Sequence, residues 1–203
     1  MSRPRLQLSE RKRKRALASA LQTVAEEAAR ARRNGFHTLT TVLNLGLFFL
    51  IAERDIQAVK IDALTHPEAW QRSLCARVIL LTIHELDLDK VAGSALRQAL
   101  LDADVPEPLR KEVAEAMRTI RRAQDKAQRR FTNLRNSTIA HRDSDAIKQY
   151  RDITDIDGLE VTKIAAVFYD GTHHFMDVMP KLLTHMGTFP SMLKQLSTQT
   201  HQK

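Results

Sequence analysis

The residues best suited to chemistry lie together at positions 134–143, in the sequence Leu-Arg-Asn-Ser-Thr-Ile-Ala-His-Arg-Asp. His141 carries a side chain that titrates near neutral pH, so it can act as a general acid or a general base. Arg135 offers a planar fork of donors that keeps its charge and stabilises developing negative charge. Asn136 can orient His141 or hold a phosphate oxygen. The combination suits acid–base chemistry; the alternative, from the residues alone, is an ordinary histidine at a helix end and an arginine on the surface.

Arg135 and His141 cannot share a small site if the chain between them is a regular α-helix. Six residues of helix turn through about 600°, which leaves the two side chains roughly 120° apart. The helix must therefore break or distort between them. Asn136, Ser137 and Thr138 suit a turn or a new N-cap, because their side chains hydrogen-bond to nearby backbone groups.

A basic cluster precedes this stretch on the same predicted helix. Its members are Arg118, Arg121, Arg122, Lys126, Arg129 and Arg130. The cations at 118, 122, 126 and 129 are spaced four, four and three residues apart, which places them along one helix face. Asp125 is the single acidic residue within the cluster. Phosphates are the natural partner of such a face, and a solvated outer face is the alternative.

The stretch 134–143 resembles the signature of the HEPN family, helical-bundle proteins of which many are metal-independent endoribonucleases. That signature is an arginine, usually a polar residue, and then a histidine after four to six intervening positions, here Arg135, Asn136 and His141. Four Arg–His pairs in the chain satisfy the spacing, and Asn directly follows the arginine in this pair alone. The ending Ala140-His141-Arg142-Asp143 is also similar to the form in the family's abortive-infection and toxin branches.

The resemblance implies an all-α, antiparallel multi-helix bundle that cleaves RNA through attack by the 2′-hydroxyl, without a metal or other cofactor. Arg135, Asn136 and His141 are the implied catalytic residues. The expected phosphate-binding residues are Arg122, Lys126, Arg129, Arg130 and Arg142. The implied partners are RNA, such as tRNA or mRNA, a second copy of the chain in a symmetric homodimer, and a cognate antitoxin or regulator. The implied role is that of a prokaryotic toxin or antiphage effector in the cytoplasm.

The net charge of +8 is concentrated at the start of the chain. Residues 1–33 hold 10 Lys/Arg and 3 Asp/Glu, a net charge of +7, much of it in the run Arg11–Arg15. Such a run attracts polyanions through counterion release, or it is a solvated helix extension. We expect residues 1–35 to form a basic N-terminal helical extension, to which the family resemblance assigns no role.

Apolar periodicity and the scarcity of Gly and Pro, 6 of each, favour helices along the whole chain. The predicted segments are approximately 9–33, 36–59, 67–86, 90–103, 107–134, 145–151 and 160–185. In the third of them, Trp70, Leu74, Val78 and Leu81 form the apolar stripe expected to face the core. The HEPN-like bundle is expected to occupy residues 36–187, with a polar tail over 188–203.

Several protein classes find no support in the sequence. The longest apolar run falls short of the roughly 20 residues that cross a bilayer, so no membrane partner is expected. Cys75 is the single cysteine and is expected in the core. His173 and His174 are each spaced four residues from an aspartate, Asp177 and Asp170, but they are expected to lie on the surface rather than to bind a metal, because the chain has no His-x-x-x-His or Glu-x-x-His pair. Aromatic residues make up 5% of the chain, which argues against a base-stacking sheet.

Two other functions stay open at this level. One is a catalytically silent HEPN-like module that binds RNA or a nucleotide, or serves as a scaffold for a partner. The other is a helical interaction protein whose basic arm contacts nucleic acid and whose motif is a coincidence. His84 and Glu85 are expected as charges at a helix end, with a contribution to catalysis as the second interpretation.

Overall fold

The computed structural model describes residues 3–135, 144–188 and 190–192, and it gives the backbone alone for 3–10, 130 and 133–135. The described residues form eight α-helices and no strand. These are α1 (Arg3–Arg33), α2 (His37–Thr65), α3 (Ala69–His84), α4 (Leu88–Val91), α5 (Gly93–Asp102), α6 (Glu107–Arg135), α7 (Ala146–Thr154) and α8 (Gly158–Met186). The expectation of an all-α multi-helix bundle is confirmed. No helix in the described ranges is long and apolar enough to cross a membrane.

The chain divides into two compact units. Each of the four long helices, α1, α2, α6 and α8, has one part in unit 1 and the other part in unit 2. Unit 1 comprises Met1–Arg15, Ala52–Leu86 and Thr119–Tyr169. Unit 2 comprises Ala16–Ile51, Asp87–Arg118 and Asp170–Lys203. The whole basic run Arg11–Arg15 and the stretch 119–135 of α6 therefore both belong to unit 1.

Unit 2 is organised around an aromatic contact between α2 and α8. The rings of Phe49 and Phe175 are both fully buried and meet edge to face, with centroids 5.2 Å apart. One turn before Phe49, Gly46 lies against Met179. A Cβ atom added at Gly46 would come within 2.6 Å of the Met179 sulfur, so the absence of a side chain sets this close approach.

Unit 1 holds α3 against both α6 and α7 by polar contacts. Ser73 Oγ donates a hydrogen bond to the carbonyl oxygen of Ile153 in α7, at 2.7 Å. Gln124 in α6 donates its side-chain amide to the carbonyl of Leu86, just beyond the end of α3. These contacts place the beginning of α3 beside α7 and its end beside the last turns of α6.

The apolar face predicted for α3 is wrong. Trp70 and Leu74 leave 45% and 41% of their surface exposed, and Val78 and Leu81 are half-buried. The buried aliphatic residues are Ala76, Ile79, Leu80 and Ile83. Two apolar rows run along this helix, so periodicity alone could not decide which of them is buried.

Several helix boundaries also differ from the prediction. The first helix begins at Arg3 rather than near residue 9, and α2 continues to Thr65. Pro67 lies before α3 rather than inside it, because Glu68 is the N-cap. The segment predicted over 90–103 forms two helices that meet at Gly93, whose φ of 23° interrupts a regular helix.

Candidate nucleic-acid interface

The part of α6 in unit 1 is strongly amphipathic. Its apolar residues Ile120, Ala123, Ala127 and Phe131 are all buried. They repeat at intervals of three and four and so form one buried side of the helix, whereas the described charged residues between them are exposed. The fold thereby fixes which side of α6 carries its charges.

Three exposed cations follow one another on the opposite side of α6. We call Arg122, Lys126 and Arg129 the α6 basic face; they are spaced four and three residues apart. Arg122 donates to the hydroxyl of Thr119 at 2.8 Å. No ion pair between described residues involves any of the three. No carboxylate of the described residues therefore lies within ion-pair distance of these three cations, which leaves them available to an anion.

Arg118, the first cation of the predicted row, is exposed and belongs to the part of α6 in unit 2. Two of the predicted phosphate-binding residues, Arg130 and Arg142, are described in part or not at all. The backbone of Arg130 lies in α6, and its side chain is outside the description. Arg142 lies outside the described residues altogether.

The predicted catalytic motif begins where the described part of α6 ends. Arg135 is the last residue of α6 and is described by its backbone alone. Asn136 and His141 lie outside the described residues, as does the predicted break in the helix between them. The catalytic roles and the mutual geometry of these residues stay predictions.

His84 contacts the last turns of α6, a placement that the sequence did not reveal. Its Nε2 lies 3.4 Å from the hydroxyl oxygen of Thr132, and its Nδ1 lies 3.1 Å from a carboxylate oxygen of Glu85. Its side chain is 13% exposed. Thr132 is three residues before Arg135, a spacing that puts two residues on adjacent positions of one helix surface. His84 therefore lies within about one turn of the residue that begins the motif.

Arg77 is the second unusual residue of α3. It is only 8% exposed, and its Nε atom is buried without a hydrogen-bond partner among the described residues. The guanidinium lies 6.0 Å from the centre of the Trp70 ring. Burial lowers the pKa of Arg77, because a low-dielectric surrounding disfavours the charged form. Sequence reasoning could not have identified this residue, since arginine is among the residue types least often buried.

Cys75 and the two adjacent histidines of α8 form no metal site among the described residues. Cys75 is buried, as expected, and burial is the main reason that the pKa of its thiol is raised. His173 is exposed and His174 is half-buried, both on α8. Within the described ranges, no group of three or more His, Cys, Asp or Glu side chains is arranged to hold a metal ion.

Comparison of the chain with protein-family models, with curated proteins and with solved structures finds no match in any of the three. An argument about function therefore has to start from the α6 basic face and from the motif that follows it.

Proposed function

We propose that this protein is a metal-independent endoribonuclease of the HEPN type. The observation that carries the proposal is the α6 basic face, which lies on the same helix as Arg135, the first residue of the Arg-Asn-x4-His motif. A cationic surface with no described carboxylate partner attracts an RNA backbone through counterion release. An RNA held there would lie along the helix that leads into the motif.

The proposed reaction is a transfer of the phosphate to the neighbouring 2′-oxygen. Neutral His141 takes the proton of the 2′-hydroxyl, whose oxygen forms a bond to the adjacent phosphorus. A protonated histidine, supplied by the same motif of a second protomer, gives a proton to the leaving 5′-oxygen as the P–O5′ bond breaks. The products are a 2′,3′-cyclic phosphate and a 5′-hydroxyl.

The other motif residues serve charge and orientation in this scheme. Arg135 stabilises the negative charge that develops on the phosphorane, and Asn136 orients His141 or a phosphate oxygen. Arg142 and the α6 basic face bind flanking phosphates. A symmetric homodimer brings two motifs to one cleft. In the cell, such an activity fits a cytoplasmic toxin or antiphage effector that a cognate antitoxin or other regulator restrains.

Cleavage of RNA in EDTA tests the proposal. We expect the wild-type chain to cut total RNA or tRNA and to leave 2′,3′-cyclic phosphate ends, because the mechanism needs no metal. DNA should stay intact, since it lacks the attacking hydroxyl. His141→Ala and Arg135→Ala should each abolish cleavage while the far-ultraviolet circular dichroism stays that of the wild type.

His173→Ala is the matched control, because it removes an exposed histidine on α8 and should leave cleavage unchanged. Cleavage by His141→Ala at the wild-type rate would refute the proposed mechanism. Cleavage that stops when EDTA is added would show that the reaction depends on a metal and would overturn the metal-independent step.

A second candidate is a catalytically silent module that binds RNA through the same face. The α6 basic face favours it, because exposed cations account for binding without any chemistry. RNA that is bound and stays intact, with an affinity that falls steeply as salt rises, would select this candidate. Loss of that binding on deletion of residues 1–33, with no effect of Arg135→Ala, would instead assign the binding to the basic arm.

A further inference from the structure

Unit 1 contains a cavity of about 440 Å³ between the beginning of α3, the helix α7 and the ends of α2 and α8 that adjoin them. Ligand-binding pockets typically enclose about 300–1,000 Å³ and combine apolar walls with a few polar groups. The size of this cavity matches a small planar ligand. Its lining includes two aromatic rings, which indicate what that ligand could be.

The two rings, Trp70 and Tyr150, stand at the cavity in a nearly parallel arrangement. Their centroids are 6.3 Å apart and their planes differ by 26°. The ring faces are thus close to parallel, so a planar ligand can stack on the exposed face of either ring.

The exposure of these rings is unusual for this chain. Trp70 and Tyr150 leave 45% and 60% of their surface in water, whereas Phe49, Phe168 and Phe175 are completely buried. Exposing large aromatic surface costs free energy that burial would recover. Arg77 lies 6.0 Å from the centre of the Trp70 ring and adds a cation–π contact at this position.

Two charged side chains beside the rings supply hydrogen-bond donors and acceptors: the guanidinium of Arg72 can donate, and the carboxylate of Glu68 can accept. Arg72 is fixed at the cavity because its Nη1 donates to the carbonyls of His66 and Pro67, at 2.6 and 3.0 Å. Glu68 also lines the cavity, and its carboxylate does not cap α3. A bare phosphate would gain little from a site with a nearby carboxylate. A ring whose edge carries both donors and acceptors would find a partner for each.

We infer that the cavity at Trp70 and Tyr150 binds a nucleobase, stacked on the exposed face of one of the two rings. The choice of a nucleobase among planar ligands rests on the proposed ribonuclease function. The base can belong to a free nucleotide or to an unpaired position of an RNA strand, since the stacking chemistry is the same in both. In an RNA strand it would be a recognition site distinct from the residues that cut.

The test uses the emission of Trp70, which is the only tryptophan of the chain. The full-length protein is titrated with AMP, GMP, CMP and UMP, and with 2′-O-methyl hexanucleotides that cannot be cleaved through a 2′-hydroxyl. Ribose 5-phosphate serves as the ligand that carries a phosphate without a base. Free tryptophan, titrated in parallel, corrects for absorption by the bases.

We expect saturable quenching by nucleotides or hexanucleotides and none by ribose 5-phosphate. Tyr150→Ala should weaken binding by about 5- to 150-fold, the loss expected for stacking on one ring. Tyr150→Phe keeps the ring and should bind like the wild type. Ile147→Ala is the matched control, because this residue is 67% exposed on the same helix and does not line the cavity.

Each outcome decides the inference. Quenching by mononucleotides would identify a site for free nucleotides. Quenching by hexanucleotides alone would identify an RNA strand as the source of the base. Both results support the inferred nucleobase site. No quenching by any nucleotide, equal quenching by ribose 5-phosphate, or binding unchanged in Tyr150→Ala overturns it. If the protein binds bases but does not cleave RNA in EDTA, the nucleobase site is supported and the proposed ribonuclease function is refuted. If it cleaves RNA but binds no base, the ribonuclease function is supported and the nucleobase site is refuted.

Discussion

Replacing Arg77 by Met should make the protein more stable. Arg77 is only 8% exposed, and its guanidinium lies 6.0 Å from the centre of the Trp70 ring. Met keeps the unbranched apolar stem of the side chain and removes the buried donors. The substitution therefore isolates the effect of the charge and its hydrogen-bonding groups.

The expected magnitude follows from two opposing contributions. A buried donor without a partner costs about 1–3 kcal/mol, and Met removes that cost at Nε. The lost cation–π contact is worth about 0.5–1 kcal/mol, because the Trp70 ring is 45% exposed. The free energy of unfolding should therefore rise by about 1 kcal/mol or slightly more. For a chain of this length the melting temperature should increase by roughly 2–4 °C per kcal/mol.

Urea and thermal unfolding, followed by circular dichroism, measure this change. Arg97→Met is the matched control, because this arginine is exposed on α5 and its substitution should change stability by less than about 0.5 kcal/mol. Burial lowers the pKa of Arg77, so the unfolded chain binds this proton more tightly and the wild type should gain stability only at strongly alkaline pH. Between pH 6 and 9 the difference between Arg77→Met and wild type should be constant.

A destabilisation by Arg77→Met of more than about 1 kcal/mol would refute this reasoning. It would mean that the fold depends on the guanidinium for a favourable interaction. A stabilised variant that has also lost RNA cleavage or binding would give a reason for a buried arginine in the wild-type chain, because function is then what retains a residue that costs stability.

Two further predictions concern a thiol and the charges of α6. Burial and, to a smaller extent, the carboxylate of Asp62 raise the pKa of the Cys75 thiol. The native thiol should therefore react with a disulfide reagent at pH 8 far more slowly than the thiol of the chain unfolded in urea. Equal rates in the two states would contradict the conclusion that Cys75 is buried. Changing all three residues of the α6 basic face to Gln should reduce the slope of log affinity for single-stranded RNA against log salt by about 2. Lys111→Gln, which alters a cation paired with Glu107 at 2.7 Å, should leave the slope almost unchanged, and equal effects of both changes would argue against a specific face.

The helices of this chain differ in how far their sequences predict them. In α6, apolar residues follow one row and charges follow another, so periodicity gave both the buried side and the α6 basic face correctly. In α3, Trp70 and Leu74 belong to an apolar row as regular as the buried row of Ile79 and Ile83. Which row is buried depends on the neighbouring helices, and that information is not local.

The candidate sites likewise divide into residues that are close together in the sequence and residues that only the fold brings together. The motif residues and the cations of α6 could be proposed from spacing, because they are close together in the chain. His84 and Thr132 are separated by 48 residues, and Trp70 and Tyr150 by 80. Only the packing of α3 against α6 and α7 brings these pairs together. Sequence reasoning placed Trp70 in the core and therefore could not suggest an aromatic site.

The close contact between Gly46 and Met179 leaves little room for a sulfoxide in unit 2. The Met179 sulfur lies 2.6 Å from the position that a Cβ atom of residue 46 would take, and Met179 is only 5% exposed. A sulfoxide oxygen would need space and a polar partner at a point where α2 already touches the sulfur. A sulfoxide at Met179 would therefore oppose the close packing of α2 against α8. A chain that carries this modification should unfold more readily than the reduced chain.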